Sequence, residues 1–246
     1  EAVGQGRHLG VEQVQVGPQR RAEQHGRCVG RAVHDVVQIE CHVPILHRLR
    51  TAARVRRVTG EDVRRAFEIE REDTKLRDRY GRHQYGQGAL LARRLVEAGA
   101  RVVTVNTGYW DHHNEVHKNL EQHLPPLDAA MATLLEDLDE RGMLENTLVY
   151  CAGEFGRTPL INGHAGRDHW SSCFTVMLAG GGLVGGRIVG ASERHGGGVQ
   201  ERPTTPLDVL ATIYDLMGIS LGTHYEDASG RPVSIVGSGR PIHELT

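Results

Sequence analysis

Apolar residues occur along the chain in two kinds of pattern, short runs and regularly spaced positions. Apolar runs, which are typical of strands, occur at 147–152 and 173–179, and the Val-rich segment 101–106 is a third predicted strand. Apolar residues spaced three or four apart, which are typical of amphipathic helices, occur at 87–98, 125–142 and 206–217. Pro125 and Pro126 are expected to start the second of these helices, because proline is favoured in the first helical turn. Strands that alternate with helices predict an α/β fold with a largely parallel sheet.

Residues 1–60 differ in composition from the rest of the chain. They contain no Phe, Tyr, Trp or Lys, but ten Arg and eleven Val. Residues 11–16 alternate like a strand, yet a segment with so little bulky apolar surface struggles to offset its own ordering entropy. Three interpretations fit: a divergent structural segment, a disordered arm, or the product of a shifted reading frame, which the Arg, Val, Gly and His bias favours. We predict no site there and one domain over 61–246.

Overall composition limits the classes of partner. The 246 residues carry a net charge of -2, which argues against nucleic-acid binding by bulk charge. No apolar stretch is long enough for a membrane span. Four cysteines lack a Cys-x-x-Cys spacing; Cys151 and Cys173 are predicted to be buried free thiols, with a disulfide between them as the alternative. The fifteen His residues are the unusual feature, because histidine is the commonest metal ligand.

Polar residues cluster next to the three predicted strands. They are Asp111, His112 and His113 after the first strand, Glu154 and Arg157 after the second, and Arg167, Asp168 and His169 before the third. Such groups converge at the strand ends of open α/β sheets, and carboxylates with imidazoles suit a divalent metal. If they form one site, Asp111, Glu154, His113 and His169 are expected to converge, with donor atoms roughly 3 to 4 Å apart.

Each motif also has a plain structural interpretation. Asp111 to His113 fits a solvated polar loop as well as a ligand set. Glu154 and Arg157 fit an ion pair, or a metal ligand or base beside an oxyanion clamp. Asp168 fits the orienting partner of a histidine. The loop residues Asn162 and His164 fit turn positions as easily as substrate contacts, and His117 and His123 are predicted at the surface.

Seven ordered segments resemble a known bacterial family, and they lie at 90–99, 110–113, 134–138, 153–159, 165–170, 178–182 and 240–245. Together they resemble the sulfatase-like family known as domain of unknown function 1501, over about two thirds of the chain. That family resembles the alkaline phosphatase and sulfatase superfamily. The family's usual Trp-Asp-Thr-His stands here as Trp110–His113, so His112 is the departure.

The resemblance implies a three-layer αβα sandwich with a largely parallel sheet and a metal site at the strand ends. A divalent metal (Zn, Mn, Ca or Mg) would be held by a set drawn from Asp111, His113, Glu154, Asp168 and His169. Arg157 and Arg167 are the predicted catalytic residues, which would balance the charge of an oxyanion. Full-length members carry an amino-terminal nucleophile segment that residues 1–60 lack, so the domain is expected to be amino-terminally incomplete.

The predicted function is a metal-dependent hydrolase-like domain of the phosphatase and sulfatase class. Its partner would be a small-molecule or glycan ester of phosphate or sulfate, with no nucleic acid and no membrane span. The alternative is a non-catalytic exported binding or assembly module that keeps the fold. Because family members often carry an export leader, the resemblance implies a periplasmic or exported location.

Overall fold

The computed structural model describes residues 12–16, 37–42, 60–107 and 110–246. The α-helices in these residues are α1 Gly60–Phe67, α2 Thr74–Tyr80, α3 Gln84–Glu97, α4 Val116–Glu140 and α5 Pro206–Leu216. The strands are β1 Glu12–Val16, β2 Val37–His42, β3 Val102–Thr107, β4 Leu148–Ala152, β5 Gly156–Arg157, β6 His169–Trp170, β7 Phe174–Gly180, β8 Ile188–Val189, β9 Ala191–Ser192, β10 Val199–Glu201, β11 His224–Glu226 and β12 Pro232–Ser234.

A six-stranded sheet organises the described part of the chain, in the order β3-β2-β4-β7-β1-β8. β2 pairs antiparallel with both β3 and β4, so β3 and β4 run in the same direction with one strand between them. β7 pairs antiparallel with β4 and β1, and β8 runs parallel to β1. The three predicted apolar strands are therefore present as β3, β4 and β7. The described pairings are mostly antiparallel and do not show a largely parallel sheet, and the three-layer sandwich stays a prediction.

Apolar side chains cover both faces of β4 and β7. Successive strand residues point to opposite faces, and Leu148 and Val149 accordingly belong to different clusters. The cluster around Val149 packs on the helical side chains of Tyr80, Leu90 and Leu134. The cluster around Leu148 packs on α5 and the chain end, through Val209, Ile213, Ile242 and Leu245. Packing on both faces of β4 and β7 fixes the positions of their ends and of the loops that follow them.

α4 is longer than its sequence pattern predicts. It begins at Val116, so the expectation that Pro125 and Pro126 start it is wrong, and both prolines lie inside the helix. Proline has no N–H to donate and costs stability in a helix interior, so tertiary packing must offset this loss. Upstream of the prolines, Val116 is buried and the His123 ring packs on Trp110 and His112. Downstream, the predicted apolar stripe is buried at Ala130, Met131, Leu134, Leu135 and Leu138.

Cys151 and Cys173 lie in or beside β4 and β7. Cys151 is in β4 and half-buried, Cys173 directly precedes β7 and is buried, and neither forms the alternative disulfide. Burial raises the pKa of the Cys151 thiol to about 11. This thiol therefore stays protonated at neutral pH and serves as packing.

A buried ionic network joins the helices on one face of the sheet. Arg93, only 1% exposed, lies 2.6 Å from Glu72, 2.5 Å from Glu97 and 2.9 Å from Asp137. The Tyr80 hydroxyl donates to Asp137 at 2.9 Å. Burial, together with the Asp137 carboxylate, raises the pKa of the Tyr80 phenol. The network thereby cross-links α2, α3 and α4 through the buried side chains of Tyr80, Arg93 and Asp137.

β1 and β2 come from the segment before residue 60, for which composition predicts no core. β2 pairs over six positions with β3 and over five with β4. β1, where the sequence alternates, pairs over five positions with β7. The rest of this segment lies outside the described residues, and the domain boundary at residue 60 stays a prediction.

Candidate metal site

The loops that follow β3 and β4 bring the site residues together. Asp111–His113 come shortly after β3, and the chain beyond β4 forms a two-stranded ribbon of β5 and β6. Arg157 and His169 are direct partners across this ribbon, and such partners have neighbouring side chains. The backbone N–H of Arg167 donates to the His112 carbonyl at 3.0 Å, which ties the ribbon to the first loop.

Asp111, His113 and His169 form a compact cluster of donor atoms. Oδ1 of Asp111 lies 2.8 Å from Nε2 of His113 and 3.1 Å from Nε2 of His169. The two Nε2 atoms are 3.2 Å apart. Ligands of one divalent ion lie about 2 Å from it, which separates them by roughly 3 to 3.5 Å. These three atoms therefore have the spacing of one coordination shell, and their chemistry suits a divalent ion.

Two other predicted site residues lie elsewhere. Glu154 is exposed in the turn after β4 and is not among the three residues whose donor atoms converge. Nη1 of Arg167 donates to the carbonyls of Thr158 at 2.5 Å and Pro159 at 2.8 Å. Arg167 therefore holds loop backbone, and the guanidinium that contacts the donor cluster is that of Arg157.

Asp168 lies behind His113 rather than within the donor cluster. Its Oδ1 is 2.8 Å from Nδ1 of His113, whereas Nε2 of the same ring faces Asp111 and His169. The hydrogen bonds with His113 and Asn162 lower the pKa of the Asp168 carboxyl. A carboxylate at the second nitrogen of a ligand histidine fixes its ring orientation. The sequence allows Asp168 as a metal ligand or as the orienting partner of a histidine, and the structure shows the second arrangement, with His113 as that histidine.

Asn162 organises the loop between β5 and β6. Its Oδ1 accepts the backbone N–H groups of His164 at 2.9 Å and Gly166 at 3.0 Å. Its Nδ2 donates to Oδ1 of Asp168 and to the carbonyl of His113, both at 3.0 Å. The Asn162-Gly163 pair is a turn signal in the sequence. The contact with Asp168 had no such signal.

Gly166 allows the loop between β5 and β6 to approach the backbone of His113 closely. A Cβ on Gly166 would lie 2.0 Å from both the carbonyl carbon and the carbonyl oxygen of His113. The neighbouring Ala165 forms a β-bridge with Asn114. Only glycine fits here, because any side chain would push the loop away from His113.

His112, the departure from the family pattern, is buried in an aromatic group beside the cluster. Its ring stacks on that of His123 with centroids 5.6 Å apart, and Trp110 packs against both rings. His123, predicted at the surface, is half-buried and lies 2.8 Å from the Tyr85 hydroxyl. Burial, with the charges of His123 and Arg157, lowers the pKa of His112. The ring contacts with Trp110 and His123 fix His112, and so support the loop that carries Asp111 and His113.

A family model described as "Protein of unknown function (DUF1501)" matches residues 12–246. The chain belongs to this family. The matched region includes β1 and β2, and so extends further toward the start of the chain than the sequence segments at 90–245. Neither the curated proteins nor the solved structures gave a match. Among the described helices of this DUF1501 protein, none is long and apolar enough to cross a membrane.

In this DUF1501 protein, Arg157 contacts the same Asp111 oxygen as the two histidines of the donor cluster. Its Nη1 lies 2.5 Å from Oδ1 of Asp111, the oxygen that also faces His113 and His169. The guanidinium carbon lies 5.6 Å from the Phe155 ring centroid. A fixed positive charge here opposes a metal cation but favours an anion beside it.

The variant Arg157→Ala is expected to bind Zn²⁺ about tenfold more tightly, since one charge-assisted hydrogen bond of about 1.5 kcal/mol no longer competes for Asp111. Calorimetric titration of the metal-free protein with Zn²⁺ measures the change. Arg157→Lys keeps the charge and is expected to stay near the parent affinity. Equal Zn²⁺ affinity in the parent and Arg157→Ala would show that the guanidinium does not compete.

Proposed function

We propose that this DUF1501 domain is a metal-dependent hydrolase of the phosphatase and sulfatase class, acting on phosphate or sulfate esters. The observation that carries the proposal is the triangle of donor atoms from Asp111, His113 and His169. Three protein ligands leave further positions for water or substrate, as in catalytic zinc sites. Zn, Mn, Ca and Mg are the candidate ions, and two imidazole ligands favour Zn over the other three.

The residues around the triangle have distinct parts in this proposal. A bound divalent ion would activate water and polarise the ester. Asp111, His113 and His169 would hold that ion, and Asp168 would orient His113. Arg157, next to Asp111, would balance the charge on the phosphoryl or sulfuryl oxygens. Arg167 would act indirectly, because its Nη1 holds the carbonyls of the 158–159 backbone.

The proposed substrate is a small-molecule or glycan ester. A cavity of about 600 Å³ adjoins Asp168, with Thr158, Leu160 and Trp170 among its lining residues. A space of this size suits a small organic group. Membership of the alkaline phosphatase and sulfatase superfamily, its three-layer sandwich, and an exported location rest on the sequence resemblance and belong to the same proposal.

Metal binding tests the site directly. The metal-free parent is expected to bind one equivalent of Zn²⁺ or Mn²⁺ in calorimetric titration. His169→Ala is expected to bind at least a hundredfold more weakly, because one of three ligands is gone. His164→Ala is the matched control, since this histidine is exposed in the loop that precedes His169 and lies outside the donor cluster. A parent that binds no more tightly than His169→Ala would refute the metal site.

Turnover separates the two candidate functions. The metal-loaded parent is expected to hydrolyse para-nitrophenyl phosphate or para-nitrophenyl sulfate, and His169→Ala is expected to lose that activity. Stoichiometric metal without hydrolysis of either ester would instead favour the non-catalytic binding or assembly module.

A further inference from the structure

The pair formed by Asp168 and His113 needs support from elsewhere in the fold. The Asp168 side chain is 54% exposed and that of His113 is 43% exposed. Exposed ion pairs contribute little by themselves, because solvent screens them and both side chains can rotate away. Asn162 supplies a second tie, through the bond from Nδ2 to the same Asp168 oxygen that faces His113.

We propose that Asn162 is a positioning residue for the metal site. Its side-chain NH₂ group holds Asp168 against Nδ1 of His113, and so keeps Nε2 of that ring turned toward Asp111 and His169. The inference rests on the metal site of the proposed function. The Asn162 side chain would then link the loop between β5 and β6 to the donor cluster.

The orientation of the amide follows from its four partners. Two backbone N–H groups, of His164 and Gly166, point at one end of it, and only oxygen can accept from them. The other end faces a carboxylate and a carbonyl, the Asp168 side chain and the His113 backbone, and only the NH₂ group can donate to both. The loop therefore fixes the oxygen, and the NH₂ group is left aimed at the site.

A residue that only shapes the turn would behave differently from a positioning residue, and Asn162→Asp separates the two. Aspartate keeps an oxygen for the N–H groups of His164 and Gly166 and is itself favoured in such turns. It loses both donor hydrogens and places a negative charge beside Asp168. The turn is therefore kept while Asp168 is pushed off His113.

The experiment is a double-mutant cycle on Zn²⁺ affinity. Asn162→Asp and Asp168→Ala are each expected to weaken binding 10- to 100-fold, the usual effect of losing a partner of a ligand histidine. The double variant is expected to bind no more weakly than Asp168→Ala alone, because Asn162 acts through Asp168. His164→Ala, exposed in the same loop, is expected to bind like the parent.

A second readout works without metal. Long-range ¹H–¹⁵N spectra of the His113 ring report the hydrogen bond at Nδ1, and Asn162→Asp is expected to shift this resonance as Asp168→Ala does. Parent-like affinity in Asn162→Asp, or a full further loss in the double variant, would overturn the inference. If the parent binds no metal, the proposed function fails, and the Nδ1 resonance decides this inference alone: an unmoved resonance in Asn162→Asp would overturn it.

Discussion

A chain shortened to residues 60–246 is expected to lose cooperative folding. The deletion removes β2, which lies between β3 and β4 and pairs with them over six and five positions. Among the described strands, β3 has no other neighbour in the sheet. Its backbone N–H and C=O groups would then lack partners, and unpaired edges promote aggregation. Since domains are stable by only about 5–15 kcal/mol, the loss of an interior strand exceeds what the remaining contacts can offset.

Circular dichroism and thermal unfolding of the shortened chain measure this effect. The control is a chain that lacks only residues 1–11, which precede both β1 and the family match, and it is expected to unfold like the parent. Limited proteolysis of the full chain is expected to spare β1 and β2. A shortened chain that melts cooperatively at the parent temperature would mean that the segment is foreign to the fold, as its composition predicts.

The contrast between β4 and β2 shows what the sequence could predict about the fold. β4 is a continuous apolar run, and its burial on both faces follows from that pattern. β1 and β2 come from a segment without aromatic residues, so composition argued against a core there. Strand pairing, however, depends on backbone hydrogen bonds, which composition does not record. The start of α4 at Val116 was not predicted either, because the turns before Pro125 and Pro126 pack through Val116 and His123 and carry no apolar stripe.

The residues of the site could be predicted where their position next to a strand end brings them together. Asp111, His113 and His169 were predicted from their places next to apolar runs, and the structure brings them together. Glu154 satisfied the same rule but is not in the cluster, and the residue that β5 and β6 pair with His169 is Arg157. The register of β5 against β6 depends on the geometry of the turn between them, and no residue pattern in the sequence specified that geometry.

Asp137→Ala is expected to lower the free energy of unfolding by about 3–5 kcal/mol, the usual cost of removing one partner from a buried ion pair. The Asp137 side chain is 3% exposed and lies 2.9 Å from Nε of Arg93. It also accepts from the Tyr80 hydroxyl at 2.9 Å and from Arg141 at 2.7 Å. Urea unfolding measures the change. Asp137→Asn keeps an acceptor for Tyr80 and is expected to lose less.

Asp139→Ala is the matched control, because this aspartate is exposed two residues further along α4. A loss in Asp137→Ala no larger than in Asp139→Ala would show that the network does not stabilise the helices. Metal affinity supplies a second comparison. At 1.5 Å per residue, Asp137 lies about 30 Å along α4 from Val116, where the ligand loop enters the helix. Well below its unfolding temperature, Asp137→Ala is therefore expected to bind Zn²⁺ like the parent. The reason is that the ionic network lies at the end of α4 and the donor cluster lies near its start.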